Sequence, residues 1–117
     1  MSRTFDRRYP RADWRRELGK VATDPALSIV LAQATTQARN GIILYGAVTP
    51  RPAVTLQGPV RATVSDCQDA SHAGQADAVT GQRRTVGVAR NPVTAVLVRG
   101  RGDRWRVASI DFPAGSC

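Results

Sequence analysis

The periodicity of the chain changes once, at Asn40-Gly41, and this limits the fold more than any other feature. Before that point apolar residues recur every three or four positions, which is the spacing of helices. After it they alternate every two, which is the spacing of strands. A chain that spends its helices first and its strands afterwards favours an α+β fold, in which helices pack on an antiparallel sheet, over a βαβ arrangement. Trp14, Leu18 and Val21 stand at i, i+4 and i+7, which predicts a short helix from Asp13 to Val21 with Asp13 as its N-cap and Gly19 weakening its end. A second helix is predicted to start at Thr23-Asp24-Pro25, a capping residue followed by proline at the first helical position. Ala26, Ile29, Val30, Gln33, Ala34 and Gln37 carry it to Arg39, and Asn40-Gly41 accepts the left-handed backbone that stops it.

Beyond Gly41, Ile42 to Tyr45 and Val48 favour a strand, and Pro50 and Pro52 are expected to end it at a sheet edge. Val60, Ala62 and Val64 alternate with Arg61, Thr63 and Ser65, the pattern of a half-buried strand. Asp69 to Gly81 is polar and reads as a long hairpin loop. Val93 to Arg99 is a strand, Gly100 to Asp103 a tight turn, and Trp105 to Phe112 the returning strand. With 117 residues the chain suits one core. It divides into a basic helical segment, 1–22, and a single α+β domain, 23–117. No run of about 18 apolar residues occurs, so no membrane-spanning helix is expected.

The net charge of +8 is unevenly placed. Residues 1–20 carry seven basic and three acidic groups, and residues 83–106 carry seven arginines against Asp103. Arg83, Arg84, Arg99, Arg101, Arg104 and Arg106 therefore form a candidate patch for an anionic partner, either an acidic protein or an anionic surface. Weak, nonspecific nucleic-acid binding follows from the same charge. Two Trp, two Tyr and two Phe leave few platforms on which bases would stack.

Residues for chemistry are sparse. Two cysteines 50 positions apart, with one histidine in the chain, do not make a standard zinc site. They are either a bonded pair or two separate thiols. His72 lies in a polar loop without a partner for base catalysis. Asp66, Asp69 and Asp77 lack the D-x-D-x-D-G pattern of a calcium loop. Gly100-Arg101-Gly102 belongs to a turn, not to a phosphate-binding loop. No cofactor is expected.

Several residues together resemble a known group. Asp66-Cys67 with Asp69, then Asp77, Thr80-Gly81, Arg90, Ala95, Leu97-Val98-Arg99, Trp105-Arg106-Val107 and Gly115-Ser116-Cys117 are similar to small actinobacterial secreted or lipid-anchored proteins of the nuclear-transport-factor-2-like superfamily. The resemblance spans roughly residues 24–117. It implies a cone, with helices across a strongly bent antiparallel sheet and a pocket between them, and it implies a Cys67–Cys117 disulfide. An enzyme of the ketosteroid isomerase-like type would place acid and base groups in that pocket. Tyr45 and Asp111 are the residues in position for it, with Trp105 beside them, and no helical carboxylate or histidine joins them. The implied function is a non-enzymatic binding or assembly module of the cell envelope. A pocket enzyme or carrier, and a basic nucleic-acid-associated protein of a phage or mobile element, are the alternatives. The Arg-rich N-terminus has no apolar h-region and no lipobox cysteine. The expected location is thus the envelope or the exterior if a signal precedes Met1, and the cytoplasm otherwise.

Overall fold

The computed structural model describes residues 11–117, with side chains from Trp14 onward. Helices α1 (Arg11–Leu18) and α2 (Ala26–Arg39) precede six strands: β1 (Ile42–Gly46), β2 (Pro52–Leu56), β3 (Arg61–Gln68), β4 (Ala73–Asp77), β5 (Asn91–Arg99) and β6 (Trp105–Asp111). The α+β order read from the sequence is therefore the observed one. Asp13 lies inside α1, which is already helical at Arg11, and so it does not cap that helix. Pro25 is the N-cap of α2 and not its first helical residue, and it carries no side-chain cap bond; Asp24 lies one position further out, where its Oδ1 accepts the Ser28 N–H at 3.0 Å and the Ser28 hydroxyl at 2.6 Å. Both bonds hold the Asp24 carboxyl below its ordinary pKa, the hydroxyl bond contributing most. Gly41, at φ +67°, stops the helix as expected.

Four strands form an antiparallel sheet in the order β2-β3-β5-β6, and β1 and β4 form a separate antiparallel pair. The register of β5 on β6 shifts between Val96 and Leu97, whose partners are Ser109 and Val107. This bulge bends β6. At the β6 edge the α1–α2 connection supplies backbone partners: Val107 N–H donates to Val21 O and Thr23 N–H to Val107 O, both at 2.8 Å. The Arg106 guanidinium adds a bond to Gly19 O at 2.9 Å. That edge of the sheet is thus paired at Val107.

Two strand expectations change. Pro50 and Pro52 do not end the first strand; β1 stops at Gly46, and Pro52 opens β2, an edge strand whose first residue needs no N–H. The polar stretch from Asp69 to Gly81 is not one long loop, because Ala73–Asp77 is β4, paired with β1 in the register Ile42↔Asp77 to Gly46↔Ala73. Small residues made that strand look like a loop. Their backbone still pairs.

The buried apolar residues are Trp14 and the alanines at 22, 26, 34, 62, 70 and 76. Trp14 and Ala22 fall within the segment 1–22 and share this core with the rest. On α2 the buried face runs through Ala26 and Ala34, while Ile29 is 55% exposed and lies off it. Trp105 is only half-buried. Alanines let the helices approach closely but bury little area, and several large aliphatic side chains, Val21, Ile29, Val54 and Leu56 among them, stay exposed. Val48, Val86 and Val88 are exposed, as are Val54, Leu56 and Val60.

Candidate binding groove

The β1–β4 pair gains a third rail from residues 82–88, which run along the free side of β4. Asp77 N–H donates to Gln82 O at 2.8 Å, Arg84 N–H to Gln75 O at 2.8 Å, and Gly87 N–H to Ala73 O at 2.9 Å. Asp77 fastens the turn that brings this rail round. Its Oδ1 accepts the N–H groups of Val79 and Thr80 at 2.9 Å, and Oδ2 pairs with Arg84 at 2.7 Å. The N–H bonds from Thr80 and Val79, followed by Arg84, lower its pKa to about 2.

Two glycines permit this close layering. At Gly74 a β-carbon would lie 2.1 Å from Thr85 O and 2.9 Å from the Tyr45 hydroxyl. The Tyr45 side chain crosses above it to donate to Thr85 O at 2.7 Å. At Gly46, with φ +72°, a β-carbon would lie 1.8 Å from His72 O.

The layers leave a groove of about 440 Å³ lined by Leu44, Gly46, Ala47, Val48, Ala70, Ala73, Gly74, Gln75, Thr85, Val86 and Gly87. No lining residue is charged. The volume is that of an ordinary ligand site, and the chemistry suits an apolar partner held by a few backbone and amide groups.

The residues singled out from the sequence are distributed elsewhere. Tyr45 lies on β1 with its hydroxyl committed to Thr85, and the Arg83 guanidinium stacks 4.5 Å from its ring centre. Asp111 is exposed at the end of β6, in the other sheet, and Trp105 is half-buried at the start of that strand. None of the three lines the groove. The six arginines fall into two groups. Arg83 and Arg84 are on the rail, whereas Arg99, Arg101, Arg104 and Arg106 surround the β5–β6 turn, at the far end of a nine-residue strand. Arg84 is paired with Asp77 and Arg99 with Asp103, at 3.2 Å, while Arg101 and Arg104 are exposed.

The acids considered for calcium accept bonds from nearby backbone instead. Asp66 Oδ1 accepts the Arg51 N–H at 2.7 Å. Asp69 accepts the Ser71 hydroxyl and N–H, which lower its pKa in that order. Among the described residues no cluster of His, Cys, Asp or Glu has the arrangement of a metal site. The sequence reading missed the groove because its walls are Gly, Ala and Val. The available signal was the small-residue run Ala70 to Ala76 following Tyr45-Gly46-Ala47-Val48.

Cys67 and Cys117 form a disulfide, with their Cα atoms 5.8 Å apart. It ties the tail after β6 back across β5 to the end of β3, and Arg90 Nε donates to the Cys117 carbonyl oxygen beside it. Such a bond points to an oxidising compartment. No helix among the described residues is long and apolar enough to cross a membrane.

No family model matches the chain, and no curated protein matches it. Among solved structures it is similar to the intermembrane space region of the chloroplast protein ARC6, with a TM-score of 0.67 and 17% identity. The match covers 86% of this chain and 78% of that one. At this identity the two share a fold.

Proposed function

We propose that this chain is a non-enzymatic binding or assembly module of the cell envelope, a relative of the nuclear-transport-factor-2-like proteins of actinobacteria, and that its groove takes an apolar part of a partner. The observation that carries this reading is the groove itself, which is uncharged in a protein of net charge +8. Two of its lining residues, Val48 and Val86, are large apolar side chains that stay exposed. A site built for proton transfer would set titratable groups in the wall, whereas this wall offers Gln75 and Thr85, and Thr85 Oγ1 already accepts the Gln75 N–H at 2.9 Å. The disulfide supports a location outside the cytoplasm, and the helices over a bulged antiparallel sheet are in keeping with a cone.

A photo-activated cross-linking side chain at Val86, compared with one at Val79, tests the reading in intact cells. Val79 is 87% exposed and lies outside the groove, so it controls for accidental contact. Adducts of discrete mass at Val86 alone are expected. Equal labelling at both positions, or labelling at Val79 only, would overturn the proposal.

A further inference from the structure

Two basic segments that lie far apart in the sequence meet at one end of the molecule. The Arg106 guanidinium joins them. Its Nε donates to Gly19 O at 2.9 Å, at the end of α1, and a terminal nitrogen of the same group lies 3.9 Å from the point where a Gly100 β-carbon would stand. Ala22 and Val107 pair as a parallel bridge, so Lys20 and Val21 run beside the first residues of β6. Arg15, Arg16 and Lys20 from the helix side thus share one end with Arg99, Arg101 and Arg104 from the β5–β6 turn, and all six are exposed.

The positive charge of the described residues is gathered there. Residues 15–24 and 99–106 hold seven basic side chains against Glu17, Asp24 and Asp103, whereas the other residues from 11 onward hold seven against five acids. Two of the acids at this end are already engaged, Glu17 with Lys20 and Asp103 with Arg99, each at 3.2 Å. Arg101 and Arg104 make no ion pair among the described residues. Like charges crowded together repel one another, and an anionic partner relieves that repulsion.

We propose that this end of the molecule docks on an anionic lipid surface. The β5–β6 turn projects beyond the last strand pair, Arg99↔Trp105, and residues 99–104 are all exposed. Such a projection encloses nothing, and none of its arginines lines the groove. A small anion or an acidic peptide is held by a recess that surrounds it. A plane of headgroups asks only for several cations facing one way. The residues among the cations suit that plane too. Val21 is 58% exposed beside Lys20, and Trp105, between Arg104 and Arg106 in the chain, is a half-buried amphipathic ring of the kind that settles at headgroup depth. The disulfide argues against nucleic acid, because such bonds persist away from the cytosol and nucleus, where nucleic acid is concentrated. The contact is peripheral: charge and a few apolar side chains hold it, and salt weakens it.

Co-sedimentation of the full oxidised chain with vesicles tests this, using phosphatidylcholine alone and phosphatidylcholine mixed with phosphatidylglycerol, at about 0.15 M salt. Binding is expected to the mixed vesicles only, and it should fade as the salt is raised. Arg101→Glu together with Arg104→Glu should weaken it at least about tenfold. Arg51→Glu together with Arg83→Glu makes the same change of charge at exposed sites elsewhere and should weaken it less than about threefold. Arg51 stands at the other end of β3 from the turn, since its neighbour Pro52 pairs with Asp66 whereas Arg61 pairs with Val98. No binding to the mixed vesicles overturns the proposal. So does equal binding to both kinds of vesicle, or an equal loss in the two double variants, which would make net charge rather than this face the cause. Polyglutamate or duplex DNA that is held through Arg101 and Arg104 while vesicles are not assigns the face to an acidic protein or to nucleic acid, and likewise overturns it.

Discussion

Replacing Gly74 by alanine puts a methyl carbon 2.1 Å from Thr85 O, 2.8 Å from Thr85 C and 2.9 Å from the Tyr45 hydroxyl. Two of these atoms are backbone, so a side-chain rotation cannot relieve the overlap. The rail must move by at least about 1.3 Å to bring the 2.1 Å approach out to the 3.4 Å at which ordinary van der Waals contact begins. That displacement strains the bonds from Arg84 N–H and Thr85 N–H to Gln75 O, at 2.8 and 3.2 Å, and separates Tyr45 from Thr85 O. Overfilling a close-packed site costs about 1–3 kcal/mol, and one lost hydrogen bond about 1 kcal/mol. Gly74→Ala should therefore lower stability by about 2–4 kcal/mol, read as a fall in the urea midpoint followed by tryptophan fluorescence. Tyr45→Phe alone should cost about 1 kcal/mol, and almost nothing in the Gly74→Ala background where its bond is already broken. If Gly74→Ala stays within about 0.5 kcal/mol of the parent, or if the two changes simply add, then the close layering over Gly74 is not what holds the rail.

Three further outcomes follow from the same structure. Replacing Cys67 and Cys117 by serine opens a loop of 50 positions and should cost about 2–4 kcal/mol, with reductant destabilising the parent by a similar amount and the variant not at all. Trp14→Ala, at a site 3% exposed, should cost about 3–5 kcal/mol by chemical denaturation, and Trp105→Ala, at a half-buried site, clearly less. Asp77 is held near pKa 2 in the folded protein against about 3.9 in the unfolded chain, so its contribution is fully present above pH 4 and is lost as the pH falls through 2. Asp77→Asn should flatten that part of the stability-versus-pH curve, measured against the parent.

Where local chemistry decided the structure, the residues announced it. Asn40-Gly41 stopped α2, and the turn at Gly100–Asp103 joined two strands whose alternation was plain. The α+β order and the Cys67–Cys117 bond were likewise within reach, the bond by family resemblance rather than by spacing. β4 was hidden because Ala, Gly, Gln and Asp have poor strand propensity, and only the pairing with Ile42–Gly46 makes them a strand. The groove was hidden for a related reason. Its shape depends on side chains that are missing at Gly46 and Gly74, and on a rail brought round by Asp77, none of which has a periodic signature. Trp105 alternates like a core residue, but half-burial at the start of a strand is a property of the assembled sheet. Which arginines would be neighbours was equally invisible, because Arg83 and Arg84 are placed by the pairing of the rail with β4 and the others by the β5–β6 turn.

The bond between Cys67 and Cys117 makes residues 67–117 a covalent ring that holds β4, the rail, β5 and β6 and leaves β1 and β2 outside. Arg83, Arg84 and Arg90 are exposed between β4 and β5, inside that ring. A protease that cuts after one of them severs the backbone but releases nothing. The product is a two-chain protein, each piece still contributing strands to one sheet, and it runs as a single species until a reductant divides it. Cleavage and separation thus become independent events, one under the control of a protease and the other of the thiol chemistry of the surroundings.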